Sequence, residues 1–189
     1  METLEILGKL FDGVNRVKIM RLFLSNSEAS FSRSEVSRRS KVSAGALRRE
    51  LNLLRDAHFI VKGKRSEWSL NPAFPFRKAL SGLLIGGQSF TNDELARRFR
   101  NAGRIKLLIV SGVFLREEGS RTDILVVADN PKKAAIDRVV RGLEAEIGKE
   151  LSYSILDTEE FKYRIGVYDK FIRDILDYAH SRIIDKLQV

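Results

Sequence analysis

The sequence predicts an α+β protein of two small units. Three observations carry this: helix-spaced apolar residues that run into a basic, β-prone hairpin, a proline-punctuated connector, and a closing stretch in which strand-length apolar runs alternate with helical patterns. The expected boundaries are 1–72, 73–103 and 104–189. At 189 residues, both the first and the last piece have enough chain for a core without disulfides.

In the first piece, Leu4, Leu7, Leu10 and Phe11 fall at helical spacing before Asp12-Gly13, a helix stop. Asn15 is the expected N-cap of a second helix to about Leu24. That helix carries Val17, Met20 and Leu24 on one stripe with Ile19, Leu22 and Phe23 beside it, too broad an apolar surface for one outer face, so it belongs in the core. Ser32-Arg33-Ser34-Glu35 has the Ser-x-x-Glu form of a capping box, which starts a short helix through Arg39. After Ser40-Lys41-Val42, Ser43 is placed to cap a third helix. Its Leu47, Leu51 and Leu54 recur at i, i+4 and i+7, leaving Gly45, Arg48, Arg49 and Asn52 on other faces. Phe59-Ile60-Val61 and Trp68-Ser69-Leu70 then flank Lys62-Gly63-Lys64-Arg65-Ser66, which reads as a hairpin with a cationic tip.

Helix, short helix, tight turn, helix and basic hairpin, in that order, describe a winged helix-turn-helix. The stretch from Asn15 to Pro72 resembles the winged helix-turn-helix regulators of the ArsR/MarR-like type. The resemblance implies that the helix from Ser43 to Asp56 is the recognition helix, with Ser43, Ala44, Gly45, Arg48 and Arg49 nearest the bases and backbone of double-stranded DNA. Arg48 or Arg49 would pair bidentately with guanine, while Lys62, Lys64 and Arg65 would neutralise phosphates. The competing expectation is that the two arginines pair with surface acids such as Glu50 and that the hairpin is an ordinary one.

Charge agrees with a polyanionic partner for the first piece. Of the formal +9, residues 1–72 hold 14 Lys/Arg against 8 Asp/Glu and residues 73–103 hold 5 against 2, whereas residues 104–189 hold 15 of each. In the connector, Asn71-Pro72-Ala73-Phe74-Pro75-Phe76 interrupts regular hydrogen bonding. An amphipathic run from Phe76 to Ile85 follows, then Gly86-Gly87, and Thr91-Asn92-Asp93-Glu94 opens a helix toward Asn101. Arg97, Arg98 and Arg100 read as its solvated face.

From Gly103 the pattern changes. Ile105 to Val110 and Ile124 to Val127 are buried strands, and Ala134 to Ile147 is a helix with Ile136, Val139, Val140, Leu143 and Ile147 inward. Leu151 to Leu156 alternates as a third strand, Phe161 to Tyr178 is mostly helical, and Ile183-Ile184 with Leu187 suits a short last strand. The expected result is a small α/β unit with a mixed sheet. Ser111-Gly112-Val113 followed by Asp123-Ile124-Leu125-Val126 resembles the entry motif of the minimal DNA polymerase β-like nucleotidyltransferases, over roughly residues 104–189. In that family a small residue after the glycine faces the nucleotide phosphates, and paired acids hold two divalent metals for in-line phosphoryl transfer. Here Asp123 matches the first acid. Leu125 stands at the second, Tyr153-Ser154-Ile155-Leu156 offers no third, and Val113 replaces the small residue. The resemblance therefore implies a vestigial nucleotide site at Gly112 and Asp123 and no catalysis.

Cysteine is absent and histidine is limited to His58 and His180, so no metal site or cofactor is expected. No apolar run reaches membrane-helix length, and Met1-Glu2-Thr3-Leu4-Glu5 is acidic where a secretory leader is basic, so a cytoplasmic address without membrane association is expected. The functional expectation is a homodimeric, DNA-binding transcriptional regulator, a repressor by analogy. Its second unit would act as sensor, dimerisation or docking domain. The alternatives are a nucleotidyltransferase enzyme, or an antitoxin-like module with a protein partner.

Overall fold

A computed structural model describes residues 3–63, 65–87, 89–117 and 119–189. The protein is α+β and contains a mixed sheet. It forms two compact units: Met1–Ser89 with Arg141–Glu150, and Phe90–Val140 with Leu151–Val189. Residues 73–89, assigned by sequence to a connector, thus pack with the first unit, and residues 90–103 with the second.

The first unit begins with α1 (Thr3–Leu10) and α2 (Val14–Ser25). Gly13 occupies the cap position of α2 with no side-chain cap, so Asn15, the expected cap, lies inside the first turn. The Gly13 N–H bonds back to the Gly8 carbonyl at 2.7 Å and closes the turn between the two helices. The strand β1 (Ser30–Phe31), too short to leave a period-two signature, precedes α3 (Arg33–Ser40). Both halves of the capping box form: the Glu35 N–H donates to Ser32 Oγ, and the Ser32 N–H donates to Glu35 Oε2. Ser43 caps α4 (Ala44–Asp56), whose Leu47, Leu51 and Leu54 are buried. The hairpin of β2 (Ile60–Lys62) and β3 (Trp68–Leu70) pairs Ile60 with Leu70 and Lys62 with Trp68, and β1 adds to β3 in the order β1-β3-β2. Then α5 (Arg77–Ser81) runs into a π-helical turn, Gly82–Gly86, that buries Leu84. Val17, Ile19 and Phe23 of α2 lie at the centre of a core with Val36, Leu47, Leu51 and Phe59.

One cation sits inside that core. Arg21 of α2 is 1% exposed. Its Nε donates to the Leu84 carbonyl and its Nη1 to the Glu146 carbonyl, both at 2.8 Å. Burial lowers its pKa to about 10, against the opposing charge of Glu146. Gly148, at φ 82°, presses on Arg21: a β-carbon there would lie 2.5 Å from the Arg21 carbonyl carbon.

In the second unit, α6 (Asn92–Phe99) is capped by Thr91 and followed by β4 (Arg104–Val110) and β5 (Ile124–Asp129). The helix α7 (Lys133–Ile147) contributes residues to both units. After it come β6 (Tyr153–Asp157), α8 (Thr158–Gly166), α9 (Lys170–Asp177) and β7 (Ser181–Asp185). The sheet order is β6-β5-β4-β7, with β4 antiparallel to both neighbours and β5 parallel to β6. Leu107, Ile109, Leu125 and Val127 of the sheet pack on Phe161 of α8 and on Ile172 and Ile175 of α9. The helical stretch expected from Phe161 to Tyr178 breaks at Tyr168, which takes φ 56°. Val139, expected inward on α7, is only partly buried. Among the described residues no helix is long and apolar enough to cross a membrane.

Candidate nucleic-acid interface

The exposed face of α4 follows from its buried one. With Leu47, Leu51 and Leu54 turned into the core, the helical period brings Gly45, Arg48, Arg49, Asn52, Leu53 and Asp56 together on the solvent side, where they line a shallow open concavity. Ser43, Ala44, Gly45, Arg48 and Arg49 are all exposed. Ser43 Oγ accepts the Ala46 N–H at 3.5 Å and so starts the helix. The Ala44 carbonyl accepts Nη2 of Arg33, at the first position of α3, at 2.9 Å and fastens the two helices at their entry.

Arg48 and Arg49 make no hydrogen bond or close ion pair among the described residues. Glu50, the acid expected to compete for them, is taken by Arg16 of α2 at 2.8 Å, with both side chains 12% exposed. Two guanidiniums therefore stand side by side on a rigid helix with their donor forks unengaged, a chemistry suited to phosphate oxygens and to the O6/N7 edge of guanine.

The hairpin lies beside α4, against which β2 packs. Its tip is closed by the Gly63 N–H bonding the Glu67 carbonyl at 2.8 Å and the Ser66 N–H bonding the Gly63 carbonyl at 3.1 Å. Lys62 and Arg65 are exposed there; Lys64 lies outside the described residues. The Lys62 ammonium sits 5.7 Å from the Trp68 ring centroid, which steadies the long side chain while leaving its charge in solvent. Sequence reasoning passed over Arg33, whose place one residue after the Ser32 cap was the available signal.

In the second unit, the chain brings Gly112 and Asp123 together, but in a closed arrangement. The Gly112 N–H donates to Ser120 Oγ at 3.1 Å. Asp123 commits both oxygens to backbone donors: Oδ1 accepts the Val113 N–H at 2.9 Å and Oδ2 accepts the Ser152 N–H at 2.8 Å. Gly112 takes φ 52°, and a β-carbon there would run into Asp123 Oδ1, so position 112 favours glycine beside this carboxylate. The Ser111 hydroxyl donates to the Thr122 carbonyl and closes the same turn. Leu125 is fully buried in the sheet. The acids at the ends of β5 and β6 are also committed, Asp129 to the Thr158 hydroxyl and to Lys106, and Asp157 to capping α8. Among the described residues no group of three or more His, Asp or Glu is placed to hold a metal ion.

Comparison with protein-family models, with curated proteins and with solved structures finds no match for this chain.

Proposed function

We propose that the protein is a sequence-specific DNA-binding transcriptional regulator, a homodimer that represses. On this reading the first unit is a winged helix-turn-helix with α4 as recognition helix and β2–β3 as the wing. The second unit is a nucleotidyltransferase-like domain that has lost catalysis and serves as sensor, dimerisation or docking domain. The observation that carries the reading is the pair Arg48 and Arg49, unpaired on the exposed face of α4 beside a hairpin that holds Lys62 and Arg65 outward. The first unit holds 18 Lys/Arg against 11 Asp/Glu and the second 16 against 14, which supports placing the polyanion on the first. The closed state of Gly112 and Asp123 supports a structural role for that turn rather than phosphoryl transfer.

The test is binding to random duplex DNA and to the upstream region of the protein's own gene across a salt series, for the wild type and for a variant with Arg48→Ala and Arg49→Ala. The expected result is tighter binding of the upstream region, with a preference that falls by about 1–3 kcal/mol for each arginine that reads a base. Absence of duplex binding by the wild type at low salt would reassign the first unit as a protein-docking module.

A further inference from the structure

The first unit contains a second basic feature that the DNA-binding reading does not use. A cleft of about 180 Å³ opens between α3, which supplies Arg38 and Arg39, and the segment 141–150, which supplies Arg141, Gly148 and Lys149. Gly148 is the buried residue pressed against Arg21, so this wall is set by backbone packing and not by a mobile side chain. Arg39 is held from two sides, by the Phe31 ring 5.0 Å away and by Glu150 at 3.7 Å. Arg38, Arg141 and Lys149 make no hydrogen bond or close ion pair among the described residues. Four cations thus face a concavity whose only acids, among the described residues, are Glu144 and Glu150.

One cation of the cleft, Arg141, also acts on a neighbour. Lys41, at the C-cap of α3, would have its Nζ 3.8 Å from a β-carbon at Gly142. Its pKa is held below the usual lysine value, first by desolvation and then by repulsion from Lys18 and Arg141, against a partial offset from Glu144 and Glu146. A group of like charges gathered this closely is relieved by a bound anion. Guanidiniums converging from two walls match the oxygens of a phosphate. The size of the cleft suits a compact group, and Glu144 and Glu150 in its lining oppose an extended phosphodiester backbone laid across it.

We propose that this cleft binds a small molecule through a mono- or diphosphate group, held by Arg38 and Arg39 on one side and Arg141 and Lys149 on the other. The site is separate from the exposed face of α4 and does not depend on the protein binding DNA. Occupancy would fasten α3, the helix that precedes α4, to the segment 141–150.

The experiment is calorimetric titration of the full chain with pyrophosphate and, separately, inorganic phosphate, with backbone amide shifts of the labelled protein followed in parallel. Saturable binding of pyrophosphate is expected, with the largest shifts at Leu22 and Gly148. Arg38→Gln and Arg141→Gln should each weaken it by about tenfold or more, as expected for removing one charge-assisted hydrogen bond. Arg55→Gln, the same charge change at an exposed residue paired with Asp56, should leave it unchanged. The exposed positions of Arg38 and Arg141 make the variants foldable, and their melting temperatures check it. The proposal is overturned if pyrophosphate does not saturate, if Arg55→Gln weakens it as much, if the shifts fall on α4 and the hairpin, or if short duplex DNA displaces it competitively from the same residues. Failure of duplex binding with pyrophosphate binding intact would instead count against the DNA-reading proposal alone.

Discussion

Both oxygens of Asp123 accept backbone N–H groups, so Asp123→Asn would turn an amide NH2 toward one of those donors. The expected loss is roughly 1–3 kcal/mol in denaturant unfolding, with no dependence on added magnesium. A metal ligand would behave in the opposite way, gaining stability from the ion in the wild type and not in the variant. Arg21 makes a similar demand on shape. Its planar fork reaches the Leu84 and Glu146 carbonyls at once, and the single ammonium of Arg21→Lys cannot. Leaving one buried carbonyl without its donor should cost about 1–3 kcal/mol, read by urea unfolding. The sequence held a signal for Arg21, a lone cation between Met20 and Leu22 on a helix whose neighbours there are apolar, but nothing in it indicated carbonyls 63 and 125 residues away.

At the scale of elements, local rules performed well where the determinants are local. The Ser32 capping box, the Ser43 and Thr91 caps and the Leu47, Leu51, Leu54 stripe were readable because each depends on residues within one or two turns. Asn15 misled because a good capping residue stood two places beyond a glycine that closed the turn first. The strand β1 escaped because two residues carry no periodicity, and its pairing with β3 is purely tertiary. Joints between elements also govern response to acid. Asp174 on α9 is held below the usual carboxylate range chiefly by the hydrogen bond from Arg121, with Lys170 adding to it against desolvation. Asp129 at the end of β5 is lowered chiefly by the Thr158 hydroxyl, with Lys106 and Arg104 adding to it, again against desolvation. Because both folded values lie below the ordinary value of 3.8, their stabilisation is fully present above that value and is lost as pH falls through the folded values. Urea midpoints should therefore hold from about pH 6 to about pH 4 and drop below that, and Asp174→Asn should flatten the drop.

At the scale of the whole molecule, the partition of charge was the most informative line in the sequence, because composition does not depend on knowing the fold. It pointed to the same unit whose α4 and hairpin hold Arg48, Arg49, Lys62 and Arg65 exposed. The prediction that belongs here concerns salt. Changing Lys62 and Arg65 to glutamine should weaken binding to any duplex and lower the slope of log affinity against log salt by about 1 for each phosphate no longer neutralised, whereas Arg48→Ala should act on sequence preference. What the sequence withheld was the partition of the chain itself. A boundary at Pro72 follows from prolines, yet α5, the turn at Leu84 and the distant segment 141–150 all complete the first unit.

The passage of residues 141–150 into the first unit has a consequence for dissection. The polypeptide enters the first unit, leaves, returns for ten residues and leaves again, so no single cut yields either unit whole. A fragment ending near Ser89 would strip Arg21 of the Glu146 acceptor and bare the backbone that Gly148 covers, while a fragment starting at Phe90 would carry residues 141–150 without the Arg21 backbone on which Gly148 closes. Such pieces would be sticky and protease-sensitive even where each retains its helices and strands.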